Sequence, residues 1–326
     1  MNYTTLSCAL KCTLFLLLFS GRTSAQKPVS TKETIQIGGI KQYIRIKGQD
    51  DSNPLLLFLH GGPGGSLMNK ADHITGKLQQ RFVVVHWDQR ETGETLRLNK
   101  SPEPLTLELF YNDTRELIDS LLKRFNRPRL YLVGYSWGSG LGFHIAGKYP
   151  ELLYAYIAIS PVINQWSSDS ISLAMLRETM GKKAAKELST VKIPFENADQ
   201  LYYHRKWLLK HEGKKLVDIT FPKSIVDAWA SVWFTVWLQA CDVNLFESLP
   251  AINCPVYFLA GEKDYNTNFN ITREYYKKVT APKKNIFLFE DIGHGVPETD
   301  PDLYQDIIIE KILPQTFTAP VEKRSN

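Results

Sequence analysis

The stretch from Leu130 to Lys148, LYLVGYSWGSGLGFHIAGK, decides how this chain folds. It opens with an apolar run, continues through the pattern Gly-x-Ser-x-Gly at residues 134–138, and ends in a helical pattern. Flanking glycines allow a tight turn from strand to helix that presents the serine hydroxyl. The strand, turn and helix therefore predict that Ser136 is a nucleophile, with a plain turn serine as the alternative.

Short apolar runs on both sides of this stretch alternate with helical patterns. Such runs are typical of strands buried on both faces of a mostly parallel sheet, so we expect a doubly wound α/β sheet. Residues 34–37 and 43–46 alternate like a hairpin around two glycines. The other predicted strands are residues 55–59, 82–85, 130–133, 156–159, 256–259 and 286–289, and the predicted helices are residues 107–125, 138–148, 272–279 and 303–312.

The alternation stops over residues 162–249, which are rich in Trp, Lys and helix formers. We predict a helical cap there, inserted into a core formed by residues 26–161 and 250–326. Three tryptophans four residues apart would form one stripe on a cap helix. The stripe favours packing of the cap against the core, and lining of a pocket is the alternative; the residues are Trp229, Trp233 and Trp237.

Residues 1–25 resemble an export signal. Lys11 precedes a short apolar run at residues 13–20, and small residues follow at 23–25. The sequence thus predicts a secreted or periplasmic protein, with a buried N-terminal helix as the alternative. The apolar run is shorter than the roughly 20 residues that a spanning helix needs, so no stable membrane anchor is expected.

The composition is that of an ordinary globular protein, with 43% hydrophobic and 22% charged residues among 326. Removal of residues 1–25 takes away two basic residues and no acid, which lowers the formal net charge from +5 to +3. Because no long run of Lys or Arg occurs, we expect no nucleic-acid partner.

Cys241 and Cys254 would remain after removal of residues 1–25, either bridged or as separate buried thiols. Their spacing predicts no metal site.

A serine nucleophile needs a base and an acid that orients the base. His294 follows the last predicted strand in a Gly-His-Gly loop, which is the place for the base in this fold. Asp264 follows the strand at 256–259 and is the preferred acid. Its rivals are Glu262, Glu290 and Asp291.

The loop HGGPGG at residues 60–65 follows the strand at 55–59. Glycines after this strand let backbone N–H groups approach a substrate oxygen, which is half of an oxyanion hole. The other half is the N–H of the residue after the nucleophile, so the predicted donors are Gly62 and Trp137. The loop matches neither of the glycine patterns that bind phosphate groups, G-x-x-x-x-G-K-[ST] and G-x-G-x-x-G.

Together, HGGPGG, VVVHWDQRETGET, GYSWGS, LAGEKD and GHG resemble the α/β-hydrolases related to prolyl aminopeptidase. The resemblance implies Ser136, Asp264 and His294 as a catalytic triad, with Gly62 and Trp137 as oxyanion donors. It also implies an enzyme without cofactor that releases an N-terminal residue, often proline, from peptides. In the family's DQR loop, Asp88 and Arg90 would shape the wall of the site.

The sequence departs from this family at two places. Glu91 stands where the family's loop usually has glycine, and the cap motif that binds the substrate ammonium is not recognisable. Replacement acids in the cap, each expected to be a solvated surface charge, are Asp169, Glu178, Glu196, Asp199 and Asp227. The expected partner is therefore a small peptide, or alternatively a small ester or amide. A non-catalytic binding protein on the same fold is a further alternative, and the sequence indicates no oligomeric state.

Overall fold

The computed structural model describes residues 27–317. The predicted export signal at residues 1–25 lies outside the described residues. The strands are β1 (Val29–Ile37), β2 (Ile40–Gly48), β3 (Leu55–Leu59), β4 (Val83–Asp88), β5 (Leu130–Tyr135), β6 (Leu153–Ile159), β7 (Val256–Gly261) and β8 (Lys284–Phe289). The helices are α1 (Ala71–Thr75), α2 (Gly93–Leu98), α3 (Leu107–Phe125), α4 (Trp137–Lys148), α5 (Gln165–Thr179), α6 (Gly181–Leu188), α7 (Ala198–His211), α8 (Val217–Thr220), α9 (Lys223–Cys241), α10 (Leu245–Ser248), α11 (Phe269–Lys278), α12 (Val296–Thr299), α13 (Pro301–Asp306) and α14 (Leu313–Thr316).

The described strands form one sheet in the order β1-β2-β4-β3-β5-β6-β7-β8. The first two pairings, β1 with β2 and β2 with β4, are antiparallel, and all later pairings are parallel. Helices cover both faces, so the apolar runs of the central strands are buried, as the mostly parallel α/β fold requires. The predicted fold class is confirmed.

One strand differs from the prediction. The run at 286–289 was expected to be buried on both faces, but β8 is the last strand of the sheet and pairs only with β7. Its side chains are only partly covered, and Leu288 is 44% exposed. An edge strand that carries an apolar run looks the same in sequence as a central strand, which explains the error.

Two apolar layers hold the sheet between its helices. On one face, α3, α4 and α11 contribute Leu117, Leu141 and Tyr275 to a cluster with the strands. On the other face, α1 and α13 contribute Ile74 and Tyr304. Because both layers are closed, the loops at the carboxyl ends of the parallel strands are held in fixed positions, and these loops carry the site.

Helices α5 to α10 lie between β6 and β7, and we call them the cap. Side chains of α5, α6, α7 and α9 form an apolar cluster of their own, the cap cluster. On α9, Trp233 is 5% exposed and packs in the core cluster, 5.9 Å from the ring of Phe110. Trp237 belongs to the cap cluster, and Trp229 contacts both clusters. The tryptophan stripe therefore joins the cap to the core.

Cys241 and Cys254 are separate buried thiols and form no bridge. Burial raises the pKa of the Cys254 thiol to about 12, so the thiol is uncharged near neutral pH. Within residues 27–317, no helix combines the length and the apolar character needed to cross a membrane.

Candidate active site

Ser136 occupies the turn between β5 and α4 with φ 52° and ψ −121°. Few residues adopt this conformation, and it persists only where the surroundings hold it. Here the backbone N–H of Ser136 donates to the carbonyl of Ile159 at 3.0 Å. A Cβ at Gly138 would lie 2.3 Å from the carbonyl oxygen of Leu59, and one at Gly134 would also clash, so both glycines are required by space.

The structure brings the three predicted triad residues together. The distance from His294 Nε2 to Ser136 Oγ is 2.8 Å, and the distance from His294 Nδ1 to Asp264 Oδ2 is 2.9 Å. The carbonyl of His294 accepts hydrogen bonds from the hydroxyls of Ser160 and Tyr135, which fixes the loop that carries the imidazole. This is the arrangement in which an imidazole can accept a proton from a serine hydroxyl.

Asp264 is held in place by hydrogen bonds from the residues that follow it in the chain. Its Oδ1 accepts the backbone N–H groups of Asn266 and Thr267, each at 2.9 Å, and its Oδ2 also accepts the Thr267 hydroxyl at 2.9 Å. The carboxylate is 2% exposed. The other acids that the sequence offers as partners of His294 lie on the surface. Asp291 is 84% exposed and pairs with Lys263, and Glu262 and Glu290 are exposed.

The charges of His294 and Asp264 shift the pKa of each partner in the direction opposite to the effect of burial. Burial alone would lower the pKa of His294, but the charge of Asp264 and its hydrogen bond outweigh burial, and Glu212 adds to them, so the pKa of His294 is raised. Burial would raise the pKa of Asp264, but the imidazolium and the donors from Thr267 lower it. Asp264 is therefore ionised near neutral pH and stabilises a protonated His294.

The HGGPGG loop lies directly against the nucleophile. A Cβ at Gly61 would stand 3.1 Å from Ser136 Cβ, and a Cβ at Gly64 would overlap the ring of Trp233. Gly62 and Trp137 border the same cavity as Ser136. The structure thus places both residues on the cavity that holds the nucleophile, and their role as oxyanion donors stays a prediction.

Gln89, the middle residue of the DQR loop, has no role predicted from the sequence, and it joins the HGGPGG loop to α4. Its Oε1 accepts the indole N–H of Trp137 at 2.9 Å, and its amide donates to the carbonyl of His60 at 3.3 Å. Asp88, next to it, accepts the hydroxyl of Ser66 at 2.5 Å and the N–H of Glu94 at 2.9 Å. The DQR loop therefore positions the backbone around the predicted oxyanion donors.

Arg90 anchors this loop to the core. Its side chain is fully buried and pairs with Asp113 of α3 at 2.5 Å. Glu91 follows with φ 52°, a left-handed conformation that glycine adopts at no steric cost. This conformation explains why the family usually has glycine there, and Glu91 offsets part of the strain by accepting the N–H of Ser101 at 2.5 Å.

The cap acids named from sequence fall into two groups. Four are exposed or pair with surface lysines, as expected: Glu178, Glu196, Asp199 and Asp227. Asp169 contradicts the expectation of a solvated surface charge, since it is fully buried and pairs with Arg205 at 2.6 Å. Helical spacing could not reveal this, because the partner arginine comes from α7, 36 residues away.

Glu212, which directly follows α7, is the carboxylate that sequence reasoning missed. It lines a cavity of about 190 Å³ together with His294, Arg205 and Asn266. Its Oε1 is buried and has no hydrogen-bond partner in the described part of the chain. Burial, together with the negative charge of Asp264, raises the pKa of Glu212. Nothing in the local sequence distinguishes this residue from a surface glutamate.

A larger cavity of about 760 Å³ opens at Ser136 between the core and the cap. Its volume lies within the range of small-molecule sites. Trp229 and Trp237 line it, and the indole N–H of Trp229 donates to the carbonyl of Pro63 at 3.0 Å. The tryptophan stripe therefore both packs the cap and walls the cavity.

The sheet, the cap and the site together define a hydrolase of the α/β-hydrolase fold. The family model described as serine aminopeptidase, S33, matches residues 50–302. The chain belongs to this serine aminopeptidase family and is related to the prolyl aminopeptidases.

Similar proteins agree with this placement. A probable aminopeptidase, YbaC, of Bacillus subtilis (strain 168) is 30% identical over 306 residues, which cover 87% of this chain and 96% of that protein. A proline iminopeptidase of Lactobacillus helveticus is 24% identical over 274 residues, covering 78% and 88%. The crystal structure of proline iminopeptidase from Mycobacterium smegmatis superposes with a TM-score of 0.63 at 19% identity, covering 85% and 96%.

Proposed function

We propose that the chain is a serine hydrolase that works through an acyl-enzyme. The observation that carries this proposal is the continuous hydrogen-bonded line from Ser136 Oγ through His294 to Asp264, with distances of 2.8 and 2.9 Å. Its geometry matches the nucleophile, base and orienting acid of acyl transfer.

In the proposed reaction, Ser136 Oγ attacks the substrate carbonyl while His294 Nε2 takes the hydroxyl proton. The N–H groups of Gly62 and Trp137 bind the oxyanion that develops. His294 then gives the proton to the leaving amine or alcohol, and the bond to the leaving group breaks. Water, deprotonated by His294, hydrolyses the acyl-enzyme and restores Ser136.

The finer proposal is an aminopeptidase that releases N-terminal proline or another small residue. The family and the names of its relatives support it, as does Glu212, a half-buried residue that lines a cavity with His294 and whose buried Oε1 has no hydrogen-bond partner among residues 27–317. A free N-terminal ammonium would pair with that oxygen. Asp169 also has a buried oxygen without a partner in the described residues, Oδ2, but its Oδ1 already pairs with Arg205, which makes it less suited to bind a second cation.

Activity should depend on pH through His294. The imidazole must be neutral to accept the serine proton, and its pKa is raised above the ordinary value of about 6.5. We therefore expect kcat/KM to increase with pH along an acidic limb whose midpoint lies above 6.5. In Glu212→Gln the limb should move to lower pH, because the negative charge that helps to raise the pKa of His294 is gone. A midpoint below 6.5 in the unaltered enzyme, or a shift to higher pH in the variant, would contradict the proposal.

Replacing Glu212 with glutamine should lower kcat/KM selectively for peptide-like substrates. A charge-assisted hydrogen bond is worth about 1.5–3 kcal/mol, so kcat/KM for prolyl and alanyl nitroanilides should fall by about tenfold to a hundredfold relative to kcat/KM for nitrophenyl acetate. Both substrates are measured at one pH below about 8, so that the shift in the pKa of His294 affects both equally and the nitroanilide keeps its ammonium proton. The matched control is Asp199→Asn, an exposed cap acid whose loss should leave the ratio unchanged.

A second comparison separates the aminopeptidase from an esterase. Nitroanilide cleavage that disappears when the amino group is acetylated supports an aminopeptidase, because only the free ammonium can pair with Glu212. Cleavage of short nitrophenyl esters with no cleavage of any nitroanilide would refute the aminopeptidase and leave the serine hydrolase.

A further inference from the structure

The large cavity follows one face of α4 away from Ser136. The residues of this helix that line the cavity are Trp137, Gly140, Leu141, Phe143, His144, Gly147 and Lys148. Most of them are three or four positions apart and so lie on one side of the helix. At 1.5 Å per residue, the distance from Trp137 to Lys148 along the helix is about 16 Å. The cavity is therefore an elongated channel, which we call the α4 channel, and it begins at the nucleophile.

The α4 channel is lined mostly by apolar side chains, among them Leu107, Phe143, Leu201, Trp237, Val243 and Leu245. Its polar lining residues are fewer and include Tyr111, His144, Lys148, Arg205 and Asn266. A prolyl or alanyl group would fill only a small part of this space.

Gly140 lies one helical turn after Ser136 and leaves the α4 channel open. A Cβ built at this position meets no atom within 4 Å, whereas one at Gly138 or Gly142 would clash. Any larger side chain at position 140 would therefore extend into free space on the lining face. The residue type at this position keeps the channel continuous with the nucleophile.

The α4 channel reaches solvent at the beginning of α9. Ile225 lines the channel and is also 53% exposed. The segment just before it carries two of the most exposed apolar side chains in the described part of the protein, Leu216 at 68% and Ile219 at 72%. Of these three side chains Ile225 lines the channel, and it offers an apolar surface where a hydrocarbon chain can leave water.

We propose that the α4 channel binds an unbranched acyl chain of about eight to twelve carbons, with its carbonyl at Ser136, so that the protein hydrolyses medium-chain acyl esters as a further activity. An extended chain of twelve carbons spans about 14 Å, given C–C bonds of about 1.5 Å in a zigzag, and so fits within the roughly 16 Å of the channel. The inference rests on the proposed function, because it uses the same Ser136 chemistry.

The reaction balances without a further reactant except water. The bond from Ser136 Oγ to the acyl carbon forms and the ester C–O bond breaks, and the released alcohol takes the serine proton through His294. Water then adds its oxygen to the acyl carbon, the bond to Ser136 breaks, and the fatty acid leaves while the proton returns to the serine.

The test is a series of nitrophenyl esters from acetate to tetradecanoate at concentrations below micelle formation. Each buried methylene should raise kcat/KM by about two- to fourfold, until the chain reaches the end of the channel. Gly140→Leu should lower the ratio of decanoate to acetate by at least about tenfold, and Gly140→Ala should lower it less. Ser248→Trp, at the far end, should affect only the longest chains. Fluorophosphonate labelling of Ser136 shows that each variant keeps a folded site.

The outcomes separate this inference from the function on which it rests. The inference is refuted if the enzyme labels with fluorophosphonate and hydrolyses the acetate ester, but kcat/KM stays constant with acyl chain length or declines beyond butyrate. The proposed serine hydrolase would remain in that case. An equal loss for all chain lengths in Gly140→Leu also refutes it. A preference for acetate esters of long alcohols would place the chain on the leaving-group side and overturn it as well. Absence of labelling and of all hydrolysis would instead refute the proposed function.

Discussion

Replacing Ser136 with alanine is expected to lower kcat/KM by about four to six orders of magnitude for every substrate that the protein turns over. The hydroxyl oxygen lies 2.8 Å from His294 Nε2 and is the atom that would form the acyl bond, and alanine removes it with little change to the surroundings. The loss should appear in kcat, because substrate contacts in the cavity remain. Residual hydrolysis would come from water held in the oxyanion hole.

The fold of the Ser136 variant serves as its control. The backbone N–H of this residue donates to Ile159 irrespective of the side chain, so we expect a thermal transition close to that of the unaltered protein. Turnover that stays within tenfold of the original in the folded variant would refute Ser136 as the nucleophile.

Replacing Asp264 with asparagine is expected to lower kcat/KM by about a thousandfold to ten-thousandfold. Asparagine keeps the shape of the carboxylate and can still accept the N–H groups of Asn266 and Thr267. It lacks the charge that raises the pKa of His294 and stabilises the imidazolium. The measurements are kcat/KM and its pH profile, whose acidic limb should move to lower pH.

Asp291→Asn is the matched control, because Asp291 is the rival acid closest to His294 in sequence. It is 84% exposed and pairs with Lys263 on the surface, where such pairs contribute little. We expect kcat/KM to change by less than about twofold. A larger loss in Asp291→Asn than in Asp264→Asn would reverse the assignment of the acid.

Much of the fold could be predicted because local signals agreed with the tertiary structure. The strand at 55–59 was predicted with its observed bounds, and α4 begins one residue before its predicted start. The glycines around Ser136 mark the turn because backbone atoms of other elements leave no space for a Cβ there. The order of strands in the sheet depends on long-range pairing, and the sequence pattern alone predicted only that the sheet would be mostly parallel.

The parts of the site that could not be predicted depend on contacts between distant segments. Glu212 looks like an ordinary glutamate at a helix end until the cap places it beside His294. Gln89 gains its importance from the indole of Trp137, 48 residues later. Asp169 is buried only because Arg205 compensates its charge. In each case the partner, rather than the residue type, determines the role.

Trapping the acyl-enzyme tests the central claim most directly. The protein is mixed with a nitrophenyl ester below the midpoint of the acidic limb, where deacylation is slow, then quenched in acid, digested and analysed by mass spectrometry. We expect one acyl group per protein molecule, on the peptide that contains Ser136, and none in Ser136→Ala. Turnover without any adduct, or an adduct on another residue that forms and decays at the rate of turnover, would contradict the account.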